Sequence, residues 1–224
     1  MTTILNVQNL AKTYRMREGM VHALNDISFS INKSDFVSIT GPSGSGETTL
    51  LMALSGLIRP TSGEIIFENN NLVTASDKEL AGYRKKHVGF VMQNFSLIPY
   101  MTAIQNVMIP LGLNGHSERE QKQLSASVLE LVGLGNRKSH YPRELSAGQQ
   151  QRVAIARALV NKPDIIFADE PTGNLDPSLS TGILEFLQKV NREFNITIMM
   201  VTHSPQAANY GDVKIRLDEG RLCN

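Results

Sequence analysis

Residues 36–57 constrain this chain more than any other stretch. Phe36-Val37-Ser38-Ile39-Thr40 is an apolar run of strand length, and it feeds Gly41-Pro42-Ser43-Gly44-Ser45-Gly46-Glu47-Thr48-Thr49. From Thr48 to Leu57 the residues suit a helix, which Pro60 and Gly63 stop. A strand, a glycine-rich loop and a helix in that order form a phosphate-binding unit. The glycines let consecutive backbone N–H groups turn inward at a helix N-terminus, whose dipole favours an anion. The pattern G-x-x-x-x-G-K-[ST] is met at Gly41, Gly46 and Thr48, but position 47 is glutamate where the pattern has lysine. The loop thus selects a nucleotide's phosphates and inverts the charge of the side chain that normally meets them.

The rest of the chain supplies a frame for that unit. Ile4-Leu5-Asn6-Val7 and Ile27-Ser28-Phe29-Ser30-Ile31 alternate as strands of an antiparallel sheet. Further strands are predicted over Gly63–Phe67, Val88–Met92, Asp164–Ala168 and Ile196–Val201, with Val213–Leu217 as an edge strand. Residues from about 102 to 160 have helical spacing, with Leu124, Val128, Leu131 and Val132 on one face. Strands alternating with helices around a glycine loop imply an α/β fold, a mostly parallel sheet with helices on both faces. At 224 residues the chain fits one sizeable core. A net charge of +1 gives no reason to expect nucleic acid as partner. The single cysteine, Cys223, excludes an internal disulfide, and no apolar run reaches membrane-spanning length. Without the basic start and long apolar core of a signal peptide, a cytoplasmic location is expected.

Two further segments carry chemistry. Asp164-Ile165-Ile166-Phe167-Ala168-Asp169-Glu170 is a strand ending in adjacent carboxylates, at the edge where ligands collect in such sheets. Asp169 suits Mg²⁺ ligation together with the Thr48 hydroxyl, and Glu170 suits taking the proton of an attacking water. Leu145-Ser146-Ala147-Gly148-Gln149-Gln150-Gln151-Arg152 opens a helix with a cap and a second anion-binding N-terminus. By itself it is a capped amphipathic helix. Beside the glycine loop, it implies a site serving a nucleotide held by another subunit.

The set resembles the ATP-binding cassette (ABC) ATPases over nearly the whole chain, most specifically through the LSAGQ-type signature followed by QQRVAIARAL. The resemblance implies a P-loop NTPase of ABC type in one domain, residues 1–224. It would have an N-terminal antiparallel β-subdomain and an α-helical signature subdomain over about 95–160. It implies ATP and Mg²⁺ as ligands. The loop from Gly41, Pro42, Ser43, Gly44, Ser45, Gly46 and Glu47 to Thr48 and Thr49 would bind the phosphates. Tyr14 matches the aromatic that stacks on adenine, and Gln93 the glutamine joining the metal site to the transporter-coupling region. His203 matches the histidine that contacts the γ-phosphate and supports the catalytic Glu170. Ser146, Gly148, Gln149 and Asp176 would act in trans across a dimer of two cassettes, expected to be a homodimer when ATP is bound. Phe90 to Val107 resembles the branch of lipoprotein-releasing, macrolide-exporting and antimicrobial-peptide-resistance ATPases, near the cell-division ATPase. That branch implies an integral-membrane permease as partner and a peripheral place on the cytoplasmic face. Phe95, Leu97, Ile98 and Tyr100 would line the groove for the permease's coupling helix.

Glu47 bears on activity. A charge pair at about 4 Å and an effective dielectric near 20 is worth roughly 4 kcal/mol, and reversing one sign costs up to about twice that. The chain is therefore expected to bind and hydrolyse ATP poorly. Either a working ATPase has changed at one residue, or a natural cassette no longer turns over. The retention of Thr48, Gln93, Asp169, Glu170, Ser146, Gly148 and His203 favours the first. A non-hydrolysing regulatory cassette is the alternative function. A soluble cassette protein of DNA repair or translation is disfavoured by the compact single cassette.

Overall fold

A computed structural model describes residues 2–16 and 19–223. Among the described residues, ten strands form two sheets. The first is antiparallel and contains β1 (Thr3–Met16), β2 (Gly19–Asn32), β4 (Ser62–Phe67) and β5 (Asn70–Asn71), in the order β2-β1-β4-β5. The second holds β3 (Phe36–Thr40), β6 (Val88–Met92), β7 (Ile165–Asp169), β8 (Thr197–Val201), β9 (Val213–Asp218) and β10 (Arg221–Cys223), in the order β10-β9-β3-β8-β7-β6. All its pairings are parallel except β9 with β10.

The central strands are mostly apolar because both faces are covered. Their side chains alternate between two cores. Val37, Ile39, Ile165, Phe167, Met199 and Val201 pack toward the antiparallel sheet and α1 (Glu47–Leu54). Phe36, Ile166, Ala168, Ile198 and Met200 point the other way, toward α5 (Ala147–Leu159) and α6 (Pro177–Phe194). A third core joins α3 (Ala103–Leu113), α4 (Glu118–Leu131) and α5 through Val107, Leu129, Val153 and Ala156.

Several sequence expectations shift. Val213–Leu217 is not an edge strand: β9 lies between β3 and β10, and β10 takes the edge. The connection escapes a search for Asn-Gly or Asp-Gly because it is Glu219-Gly220. Both residues have positive φ, 46° and 74°, as a tight two-residue hairpin requires. Helix α1 ends at Leu54, before the expected Leu57, because Gly56 turns the chain at φ 68°. On α4, Leu124 and Leu131 are exposed, and the buried residues are Ser125 and Leu129. Helix α2 (Asp77–His87) was not expected, although Ser76 and Glu79 form a capping box that marks its start.

Register is what assembles a site from this sheet. Ile39 pairs with Val201, Val201 with Asp169, and Asp169 with Met92. Strands β3, β8, β7 and β6 therefore end level with one another. The residues that follow, Gly41, His203, Glu170 and Gln93, emerge at the same edge.

Candidate nucleotide site

The glycine loop leaves β3 and enters α1 with the backbone its sequence demands. Gly46 caps the helix at φ 103°, and a Cβ there would collide with the Ala23 carbonyl, so only glycine fits. No side chain caps the N–H groups of the first turn. They stay free for an anion. Pro42, Ser43, Gly44 and Ser45 complete the loop, and Thr48 and Thr49 follow in the first turn of α1.

Thr48 Oγ1 lies 3.3 Å from Asp169 Oδ1, at the end of β7. Burial pushes the Asp169 carboxyl above the ordinary carboxylate value; the Glu47 charge adds to this, while the Thr48 hydrogen bond and His203 oppose it. A hydroxyl and a partly buried carboxylate are hard oxygen donors that fit Mg²⁺. Gln93 follows β6 beside them, but its amide packs over Gly173 and its carbonyl accepts a hydrogen bond from Asn174 Nδ2 at 3.0 Å.

Glu170 is held firmly. Its backbone takes the left-handed conformation (φ 47°), and its N–H donates to the Val201 carbonyl. A conformation of that kind costs of order 1–3 kcal/mol in a non-glycine residue. Its Oε1 accepts the His203 backbone N–H at 2.7 Å, and the Thr202 hydroxyl lies 3.5 Å from Oε2. His203 Nδ1 is 3.1 Å from the Gly41 carbonyl, and a carbonyl can only accept, so Nδ1 carries a proton. The other ring nitrogen, Nε2, then faces Glu170 Oε1 at 3.8 Å. One histidine thus ties the glycine loop to the carboxylate that follows β7.

The signature residues lie elsewhere. Ser146 caps α5 in a reciprocal box with Gln149, and Gly148 is buried against Leu179 of α6. Asp176 caps α6; hydrogen bonds from the Leu179 N–H and the Ser178 hydroxyl hold its carboxyl below the usual range. Tyr14 lies on β1, opposite Val21 of β2.

Glu47 differs from the other charged residues of the site. It is only 4% exposed, and its Oε1 is fully buried without a hydrogen-bond partner. Its Oε1 lies beside Gly41, 2.6 Å from where a Cβ of that residue would sit, with Ser45 Oγ and the Leu217 carbonyl oxygen close to the same point.

The sequence reading missed two supporting residues. Lys12 Nζ lies over the Tyr14 ring, 4.9 Å from its centre, and donates to the Arg59 carbonyl. Arg157 of α5 donates to the carbonyls of Ser96 (2.6 Å) and Phe95 (3.0 Å), fixing a turn in which both residues have positive φ. Arg157 lies in the signature stretch but has no motif role there, so only the fold reveals its partners. It also lines a groove of about 680 Å³ with Leu57, Val88, Met92, Ser96 and Leu113. Phe95, Leu97, Ile98 and Tyr100 are not among the residues lining this groove. Leu97 packs into the helical core, and Tyr100 projects into solvent with 76% exposure.

This sheet edge, with its glycine loop, paired carboxylates and histidine, defines an ATP-binding cassette, and the ABC transporter family matches residues 24–173. The chain belongs to that family. It is 44% identical over 223 residues to the ABC transporter ATP-binding protein YtrE of Bacillus subtilis, covering 98% of this chain and 96% of that one. It is 43% identical to the macrolide export ATP-binding/permease protein MacB of Syntrophobacter fumaroxidans; the match covers 97% of this chain but 31% of that longer protein. The cassette MJ0796 of Methanocaldococcus jannaschii superimposes with a TM-score of 0.91 at 40% identity, covering 99% of this chain and 97% of that one. MJ0796 has been solved as a dimer, including a post-hydrolysis state bound to ADP and Pi. Among the described residues no helix is long and apolar enough to cross a membrane.

Proposed function

We propose that this chain is the ATP-driven subunit of a membrane transporter or related permease complex, running with a weakened nucleotide site. Two copies would close head to tail on ATP. Each nucleotide would lie between one copy's glycine loop and the other's Ser146, Gly148 and Gln149, with Asp176 at the crossing. Tyr14 would stack on the adenine. Thr48 and Asp169, with Gln93 beside them, would hold Mg²⁺. The ion supplies positive charge to the phosphate oxygens when bound. Glu170 would take the proton of a water attacking the γ-phosphorus, as the bond to the leaving β-phosphate oxygen breaks to give ADP and phosphate. His203 would keep Glu170 oriented and face the γ-phosphate.

One observation carries this reading. Four adjacent strands end in register and bring Gly41, Gln93, Glu170 and His203 to one edge, with Glu170 fixed by the His203 N–H at 2.7 Å. The groove that Arg157 and Met92 line suits a coupling helix of a permease, which would keep the cassette at the cytoplasmic face of the membrane.

Glu47 limits the activity. Its carboxylate replaces a cation that would otherwise offset phosphate charge in the ground and transition states. Titration of nucleotide against this chain and its Glu47→Lys variant, with ATP turnover measured in parallel, tests the reading. Restoring lysine is expected to raise turnover at least tenfold, equivalent to about 1.4 kcal/mol. Full activity with Glu47 in place would refute the weakened site. Nucleotide binding without turnover in both forms would favour a regulatory cassette paired with a different, active partner.

A further inference from the structure

Helix α5 buries one polar side chain that the reaction described above does not use. Gln151 is fully buried, and its Nε2 donates to the Pro171 carbonyl at 2.5 Å, while its Oε1 has no partner. Pro171 is buried too, and among the described residues no backbone N–H donates to its carbonyl. Exchanging the amide for an apolar group would remove one orphaned acceptor and create another, which is nearly even for stability. What the amide adds is the direction of one carbonyl. That carbonyl belongs to the residue after Glu170. Proline locks φ near about −65°, so a single soft dihedral separates the Pro171 carbonyl from the Glu170 peptide. Glu170 stands at φ 47°, a conformation that persists only where the surroundings fix it from several sides. Its N–H is bonded to Val201, and its carbonyl accepts the Gly173 N–H. Asn174 Nδ2 is bonded to the Gln93 carbonyl and to Asn94 Oδ1. Gln151 holds the turn between these ties, and it does so from α5.

We propose that Gln151 is a positioning residue for ATP hydrolysis: through the Pro171 carbonyl it holds the turn that aims the Glu170 carboxylate. The role rests on the function proposed above, since it acts only through Glu170. Without the Gln151 donor, the turn loosens, Glu170 relaxes from its left-handed backbone, and its carboxylate leaves the His203 N–H that it now accepts at 2.7 Å. Nucleotide binding is spared, because the Gln151 hydrogen bond reaches neither the glycine loop nor Tyr14. Gln151 shares its helix with the Ser146 cap. The seating of the helix that would offer Ser146 to a partner's nucleotide therefore also sets the aim of this chain's own base.

Gln151→Met keeps the length of the side chain and removes the donor. In the Glu47→Lys chain it is expected to lower kcat about tenfold or more, as a displaced catalytic group does, and to leave the KM for ATP within about twofold. With Glu170→Gln already present, the same substitution should change the residual rate less than about twofold, because the two residues act in one line. A second measurement needs no turnover. In the nucleotide-free chain with Glu47 in place, Gln151→Met should speed amide hydrogen exchange at His203 about tenfold or more, while Ile198 and Met199 of β8 keep their rates. Unchanged kcat, an equal loss in both Glu170 backgrounds, or unchanged His203 exchange would overturn the proposal. So would faster exchange throughout β8, the mark of general loosening. If the methionine variant does not fold, Gln151→Asn, whose amide is too short to reach Pro171, is read in the same way. A Glu47→Lys chain without turnover would count against the ATPase reading alone, and the exchange measurement would still decide whether Gln151 holds the turn.

Discussion

Two glutamates of this site differ in how the fold receives them. Glu170 sits in a costly left-handed backbone, but its carboxylate accepts the His203 N–H and remains open to the cleft, with a side chain 16% exposed. Glu47 sits in relaxed helical backbone at a position favourable to an acid, the first turn of α1, yet its carboxylate oxygen is sealed away unpaired. Strain in the backbone accompanies a satisfied side chain in one case, and ease in the backbone accompanies an orphaned side chain in the other. The first pattern is that of a residue around which a site is built. The second is that of a residue placed into a site built for something else.

The contrast can be tested, beginning where the effect is largest. In the Glu47→Lys background, Glu170→Gln is expected to lower ATP turnover by about 10²-fold or more, the range for loss of a general base. A steady-state phosphate-release assay would show it, and a loss below fivefold would remove Glu170 from that role. Next comes the rise of at least tenfold from Glu47→Lys alone, already set out above. Stability gives a smaller signal. With divalent ions chelated, Glu47→Met removes the unpaired buried oxygen and should raise unfolding stability by about 1 kcal/mol, within the usual 1–3 kcal/mol for such groups. Denaturant melts would register this, and a destabilised methionine variant would mean that Glu47 has a partner after all.

The smallest effect concerns Asp169. Burial chiefly, and the Glu47 charge as well, hold its carboxyl above the ordinary value. Glu47→Gln should therefore bring it down, as followed by carboxyl carbon NMR. The linked stability has a definite sign. An acid raised on folding favours the folded state below its unfolded pKa, and that contribution is lost as pH rises through the raised value. In the glutamine variant this window should narrow, and an unchanged Asp169 titration would show that the two carboxylates do not sense each other.

Much of this was legible in the chain itself. The run from Phe36 to Thr49 reads as strand, loop and helix because apolar continuity and glycine spacing are local properties. The same holds for Asp169 and Glu170 at the end of an apolar strand. Other features depend on the fold as a whole. The burial of Glu47 arises where the glycine loop meets Leu217, 170 positions further along the chain. The contacts from Arg157 to Phe95 and Ser96 join two segments that no motif relates. The edge strand β10 went unread because Glu219 is an unusual residue for a tight turn, and hydrophobic alternation over three residues carries no signal.

Helix α5 has a mechanical consequence. Ser146 caps its start, and close to its end Arg157 and Ala158 face the groove. Thirteen residues at 1.5 Å each make a rod of about 20 Å. A rod of that length turns as one body. Unless it pivots about Ser146 itself, a load on the groove at Arg157 reorients the cap at Ser146 as well, and a single run of helical hydrogen bonds spans the two places.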